Sequence, residues 1–129
     1  MKRKISPQEA MNRLAENIRE RRRHWQEIRE KGCSDPFWTD GCNMNLTRNH
    51  IISYRRQMEE LKEETGQELP GEYYIPVPPE TEKDFMADPE SERMKSVFPT
   101  DWQERLKKFR EQRAEVREGY RQLTIFDFI

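Results

Sequence analysis

Apolar residues recur along this chain at alternating three- and four-residue steps, the spacing that lines one face of a helix. The first run is Met11, Leu14, Ile18, Trp25 and Ile28, with Arg21 accepted at one position of the seam. Ser6-Pro7-Gln8-Glu9 opens it: Ser6 can cap, Pro7 suits the first turn, and Glu9 can complete a capping box. Gly32 is a natural stop. A second run, Ile51, Tyr54, Met58 and Leu61, predicts a helix that starts near Asn45 or Thr47, reaches about Thr65 and ends at Gly66. Two seams of comparable length joined in this way predict an antiparallel helical hairpin over residues 1–66.

Between the helices, Asp35-Pro36 and Asp40-Gly41 are turn signals. Phe37 and Trp38 are expected to bury their rings, so residues 32–45 read as a structured connection. Leu69 to Pro79 holds Pro70, Pro76, Pro78 and Pro79 and cannot be a helix. It predicts an extended, polyproline-like strap, with Tyr73, Tyr74, Ile75 and Val77 crossing the hairpin. Residues 80–92 are rich in acids (Glu80, Glu82, Asp84, Asp88, Glu90, Glu92) and poor in apolar side chains, which predicts a mobile tether within the connection 67–99. Thr100, with Gln103 in the matching box position, then announces a third helix over 100–121, marked by Trp102, Leu106, Phe109, Val116 and Tyr120. That helix either completes a three-helix bundle or stands as a separate arm, and Gly119 weakens its last turn by about 1 kcal/mol relative to alanine. The expected fold class is all-α: a long antiparallel hairpin, a Pro-rich acidic connection, a third helix, and an extended tail over 122–129.

Composition narrows the picture. Of 129 residues, 33% are hydrophobic and 38% charged, which suits helices burying narrow stripes better than a large globular core. The net charge of -1 conceals basic clusters at Lys2, Arg3 and Lys4 and at Arg19, Arg21, Arg22 and Arg23. These clusters suit nucleic acid or an acidic protein, but interleaved glutamates break up any continuous phosphate-binding surface, so nucleic acid is expected to be engaged only indirectly or weakly. No apolar run approaches the roughly 20 residues that cross a bilayer. The basic start also lacks the apolar stretch of a signal peptide. A cytoplasmic protein without a membrane partner is expected, its Cys33 and Cys42 free thiols.

Candidate chemistry is sparse. His24, Cys33, Cys42 and His50 are zinc-ligand types, but neither a Cys-x-x-Cys pair nor a close His pair occurs, so no metal or other cofactor is expected. Asp40 to Asn45 offers oxygen ligands without the pattern of a calcium loop, and turn formation with helix capping explains it more simply. No Gly-rich phosphate loop, activated serine or acid-base pair stands out, and no catalytic residue is assigned. Trp38 and Arg48, beside Asn43, Asn45, Asn49 and His50, concentrate aromatic and polar groups near one end of the hairpin and are candidate partner-binding residues.

The sharpest motif is Gln122-Leu123-Thr124-Ile125-Phe126. It resembles the Gln-Leu-x-Leu-Phe peptide through which bacterial proteins engage the replication sliding clamp, with isoleucine at the second leucine position. The resemblance implies polar contacts from Gln122 at the rim of a groove and apolar pockets filled by Leu123, Ile125 and Phe126. Large apolar side chains behind a charged helix suit such an anchor. The same side chains, with Phe128 and Ile129, could instead strap one end of the bundle. The stretch Gly32-Cys33-Ser34-Asp35-Pro36-Phe37-Trp38-Thr39-Asp40-Gly41 resembles small proteins encoded on bacterial mobile elements. Together these resemblances imply a non-enzymatic adaptor or modulator of a phage or mobile element, which binds the clamp through its tail and another protein through its body. The alternatives are an anti-defence, anti-CRISPR-like inhibitor of a nucleic-acid enzyme, and a helical oligomerisation module forming a homodimer.

Overall fold

A computed structural model of the protein describes residues 5–112. Those residues contain α1 (Pro7–Lys31), α2 (Asp40–Thr65), a 3-10 turn (Gly71–Tyr74), α3 (Ser91–Val97) and α4, the helical residues 102–112, with no strand among them. The all-α class and the helical hairpin are as the apolar pattern implied.

Local chemistry sets the ends of α1. Ser6 Oγ accepts the Glu9 N–H at 3.1 Å, and the Gly32 N–H closes on the Ile28 carbonyl at 2.8 Å. Gly32 lies at φ 78 and ψ -178, a region open essentially to glycine alone. A Cβ there would also fall 2.9 Å from Asp40 Oδ2.

The second helix begins at Asp40, earlier than the Asn45 or Thr47 expected. Thr39 Oγ1 accepts the Cys42 N–H at 3.1 Å, and Asp40 places negative charge at the positive end of the helix dipole. Asp40-Gly41 is thus the first turn of a helix, and the earlier start brings Met44 and Thr47 into the buried seam. Met11, Ala15 and Ile18 pack with Ile51 and Met58, while Trp25 and Ile28 pack with Met44. Late α1 against early α2 is the antiparallel order. Full burial of one such apolar side chain contributes roughly 1.5–3 kcal/mol, so the seam outweighs the few tenths per residue that helix propensities distinguish.

The Pro-rich strap is held by arginines. The extended course expected from its prolines is interrupted by the 3-10 turn Gly71–Tyr74, closed by the Tyr73 N–H on Pro70 O at 3.1 Å, and the strap's remaining carbonyls need outside donors. Arg55 Nε donates to Tyr73 O (3.2 Å), Arg22 to Ile75 O and Pro76 O (both 2.7 Å), and Arg48 Nε to Pro78 O (2.8 Å). Arg19 pairs with Glu72. Tyr73 and Val77 pack on the hairpin as expected, but Tyr74 and Ile75 point to solvent.

The acidic stretch is packed, contrary to the tether expected from its charge. Met86, Ala87 and Pro89 are buried, and the Asn45 side chain makes two 2.8 Å bonds to the Thr81 backbone. Thr39 Oγ1 donates to the Lys83 carbonyl. Gly41 permits this approach: its N–H reaches Phe85 O at 2.9 Å, and a Cβ would lie only 1.9 Å from Glu82 O. The charges face outward while a short apolar run turns in, so a composition average over the segment missed the contact. α3, which lies within the span expected to be a connection, joins α4 in a cluster of Met86, Met94 and Leu106 flanked by Val97, Phe98, Trp102 and Phe109. The third helix therefore has a small core of its own with α3, between the two arrangements envisaged. Val116, Gly119 and Tyr120 lie outside the described residues. No helix among the described residues is long and apolar enough to cross a membrane.

Candidate interaction site

Residues 32–39 link α1 to α2 and carry Phe37 and Trp38, whose side chains are 79% and 63% exposed. This corrects the expectation that both rings would be buried. The hairpin core is already filled by aliphatic side chains and Trp25, and the backbone around the tip turns the two rings outward.

That backbone is pinned from two sides. Asp35 Oδ1 accepts the N–H groups of Phe37 (2.9 Å) and Trp38 (3.2 Å), an Asx turn, and Oδ2 accepts from Asn43 Nδ2 at 3.1 Å. The Phe37 N–H is the main reason the Asp35 carboxyl is held below its ordinary range, aided by Asn43, Trp38 N–H and the positive charge of Arg93. On the other side, Arg93 Nε donates to Asp35 O (3.2 Å) and Nη2 to Trp38 O (3.3 Å), while Ser96 Oγ donates to Pro36 O (2.7 Å).

Beneath the tip lies Asp40, with no exposed surface. Its carboxylate accepts from Ala87 N (2.8 Å) and Cys33 N (3.1 Å) and pairs with Arg93 Nη1 at 2.5 Å. A buried carboxylate persists when its charge and lone pairs are matched in this way. One ion pair thus joins the loop, the start of α2, the connection at residue 87, and α3. Cys33 leans on the same carboxylate through Sγ (3.4 Å), and burial pushes its thiol pKa up, which keeps it protonated and a poor nucleophile. An open cleft of about 510 Å³ between loop and α3 has Cys33, Asp35, Glu90, Arg93 and Ser96 in its walls.

Of the residues singled out from the sequence, Trp38 is presented to solvent, whereas Arg48 is committed to the strap and sits 4.0 Å from Glu80. No contact joins the two side chains into one surface. Gln122, Leu123, Ile125 and Phe126 lie outside the described residues. His24 is exposed on α1, Cys42 Sγ reaches the Lys83 carbonyl at 3.5 Å, and among the described residues no group of three or more His, Cys, Asp or Glu is arranged to hold a metal ion. Asp40, Arg93 and Ser96 were missed as supports of the loop. A signal existed for α3, in Met94, Val97 and Phe98 at three- and four-residue spacing, but nothing in the sequence pairs Arg93 with Asp40.

No protein-family model, curated protein or solved structure matches this chain. By its fold and site it is an all-α helical hairpin, strapped by a Pro-rich segment, that displays two adjacent aromatic side chains on a pinned loop.

Proposed function

We propose that this protein is a non-enzymatic adaptor whose helical body docks a protein partner through Phe37 and Trp38, and whose segment Gln122 to Phe126 recruits it to the bacterial sliding clamp. The observation that carries the first half is the exposure of two neighbouring large aromatics on a loop whose backbone is hydrogen-bonded from both sides. Rigid aromatic side chains lose little conformational entropy on binding and dominate interface energetics. The clamp half rests on the motif's resemblance.

The two halves are tested separately. Clamp binding is measured with the intact chain and with a Leu123→Ala, Phe126→Ala double variant; equal binding, or none from either, rejects the tail reading. Body docking is measured by capture of protein partners with the wild type and with Trp38→Ala. Capture lost in the variant, with stability within about 0.5 kcal/mol of wild type as expected for an exposed side chain, supports the tip; unchanged capture rejects it.

A second reading is favoured by where the tip lies. Because the exposed aromatics belong to the body, an inhibitor that blocks a nucleic-acid enzyme through them would not require the tail. Retrieval of such an enzyme by a chain cut after residue 121 would favour that reading.

A further inference from the structure

We propose that Arg93 is the positioning residue of the Phe37–Trp38 tip, and that α3 acts as a latch which holds the tip in its docking conformation only while seated against the loop. The proposal regulates the docking site described above and rests on that reading. α3 contacts the loop through its backbone acceptors: Arg93 takes the carbonyls of Asp35 and Trp38, and Ser96 takes that of Pro36. These three acceptors bracket Phe37. The Arg93 side chain is 15% exposed, and its Nη1 is anchored on the wholly buried Asp40, so the guanidinium is aimed at the loop by a charge that cannot move to solvent.

The chemistry requires arginine. A guanidinium offers five N–H donors in a fixed plane and can bind a carboxylate and two carbonyls together. A lysine ammonium could neutralise Asp40 but is a point charge without the fork. Arg93→Lys therefore separates the two duties, pairing with Asp40 and orienting the tip. Once α3 lifts away, residues 35–38 are held only through the Asp35 side chain, by the internal Asx turn and the Asn43 Nδ2 bond, the carbonyls of Asp35, Pro36 and Trp38 lose their α3 donors, and the aromatic pair loses its fixed direction.

Amide hydrogen exchange in the full chain tests this without a partner, following the Phe37 and Trp38 N–H groups in the wild type, Arg93→Lys and Ser96→Ala. Each charge-assisted hydrogen bond is worth roughly tenfold or more in an equilibrium, so Arg93→Lys is expected to speed exchange at both amides by about tenfold or more, with a smaller rise in Ser96→Ala. The amides of Ile18 and Ile51 in the hairpin core should keep their wild-type rates. Unchanged exchange at the tip in both variants would overturn the proposal, as would an equal acceleration at Ile18 and Ile51, which would make Arg93 a global stabiliser only. Should Arg93→Lys not fold, Ser96→Ala decides alone: faster tip exchange supports the latch and unchanged exchange overturns it. The docking reading fails by a different result, capture unaffected by Trp38→Ala, so the two failures are distinguishable.

Discussion

Replacing Asp40 by asparagine keeps the side chain's shape and removes its charge, and the consequences follow from its partners. Oδ2 accepts from Ala87 N, while Oδ1 accepts from Cys33 N and pairs with Arg93. An asparagine must turn its NH2 toward one of these groups of donors, so at least one backbone N–H loses its acceptor at a cost of about 1–3 kcal/mol. Arg93 also keeps its charge in a largely buried place without its directly paired carboxylate. Breaking a buried pair from one side costs about 3–5 kcal/mol. With a urea slope of about 2 kcal/mol per molar, a loss of about 4 kcal/mol moves the unfolding midpoint down by about 2 M. Urea titrations followed by circular dichroism, on the wild type, Asp40→Asn, Arg93→Met and the double variant, measure both the loss and its coupling. Arg93→Met should be far more costly in the wild type than in the Asp40→Asn background, with an interaction of about 2 kcal/mol. The reasoning is refuted if Asp40→Asn shifts the midpoint by less than about 0.5 M, or if Arg93→Met costs the same in both backgrounds.

Two further outcomes follow from the same region. Gly41→Ala should destabilise by about 1–3 kcal/mol, where an ordinary helical glycine would gain about 1 kcal/mol from the change, because the new Cβ would strike the Glu82 carbonyl; a stabilised variant in urea titration would refute the close approach. Asp35, held below its ordinary range chiefly by the Phe37 N–H, contributes stability that is present above the unfolded value of about 3.9 and is lost as pH falls through the lower folded value. The Phe37 amide resonance should hold steady from neutral pH to about pH 4.5 and shift only in the acid range, and a titration centred above that would contradict the Asx turn.

The sequence alone determined what depends on near neighbours. Ser6 and Pro7 start α1, Gly32 and Gly66 end the two long helices, and the three-four spacing of Met11, Ile18, Trp25 and Ile28 chooses the face that is buried. These are effects of adjacent backbone dihedrals and of a period of 3.6, so they are legible from one chain. Asp35-Pro36 as a turn was legible for the same reason. Tertiary structure decided the rest. Thr39 caps α2 while its hydroxyl bonds residue 83, Gly41 admits the backbone at residue 82, and Asp40 finds Arg93 more than fifty residues away. Charge content classed residues 80–92 as tether, yet a few inward side chains and a notch at Gly41 were enough to seat them. Exposure of Phe37 and Trp38 is of the same kind: aromatic character predicts burial on average, and only the pinned loop, with the core already full, turned both rings toward solvent.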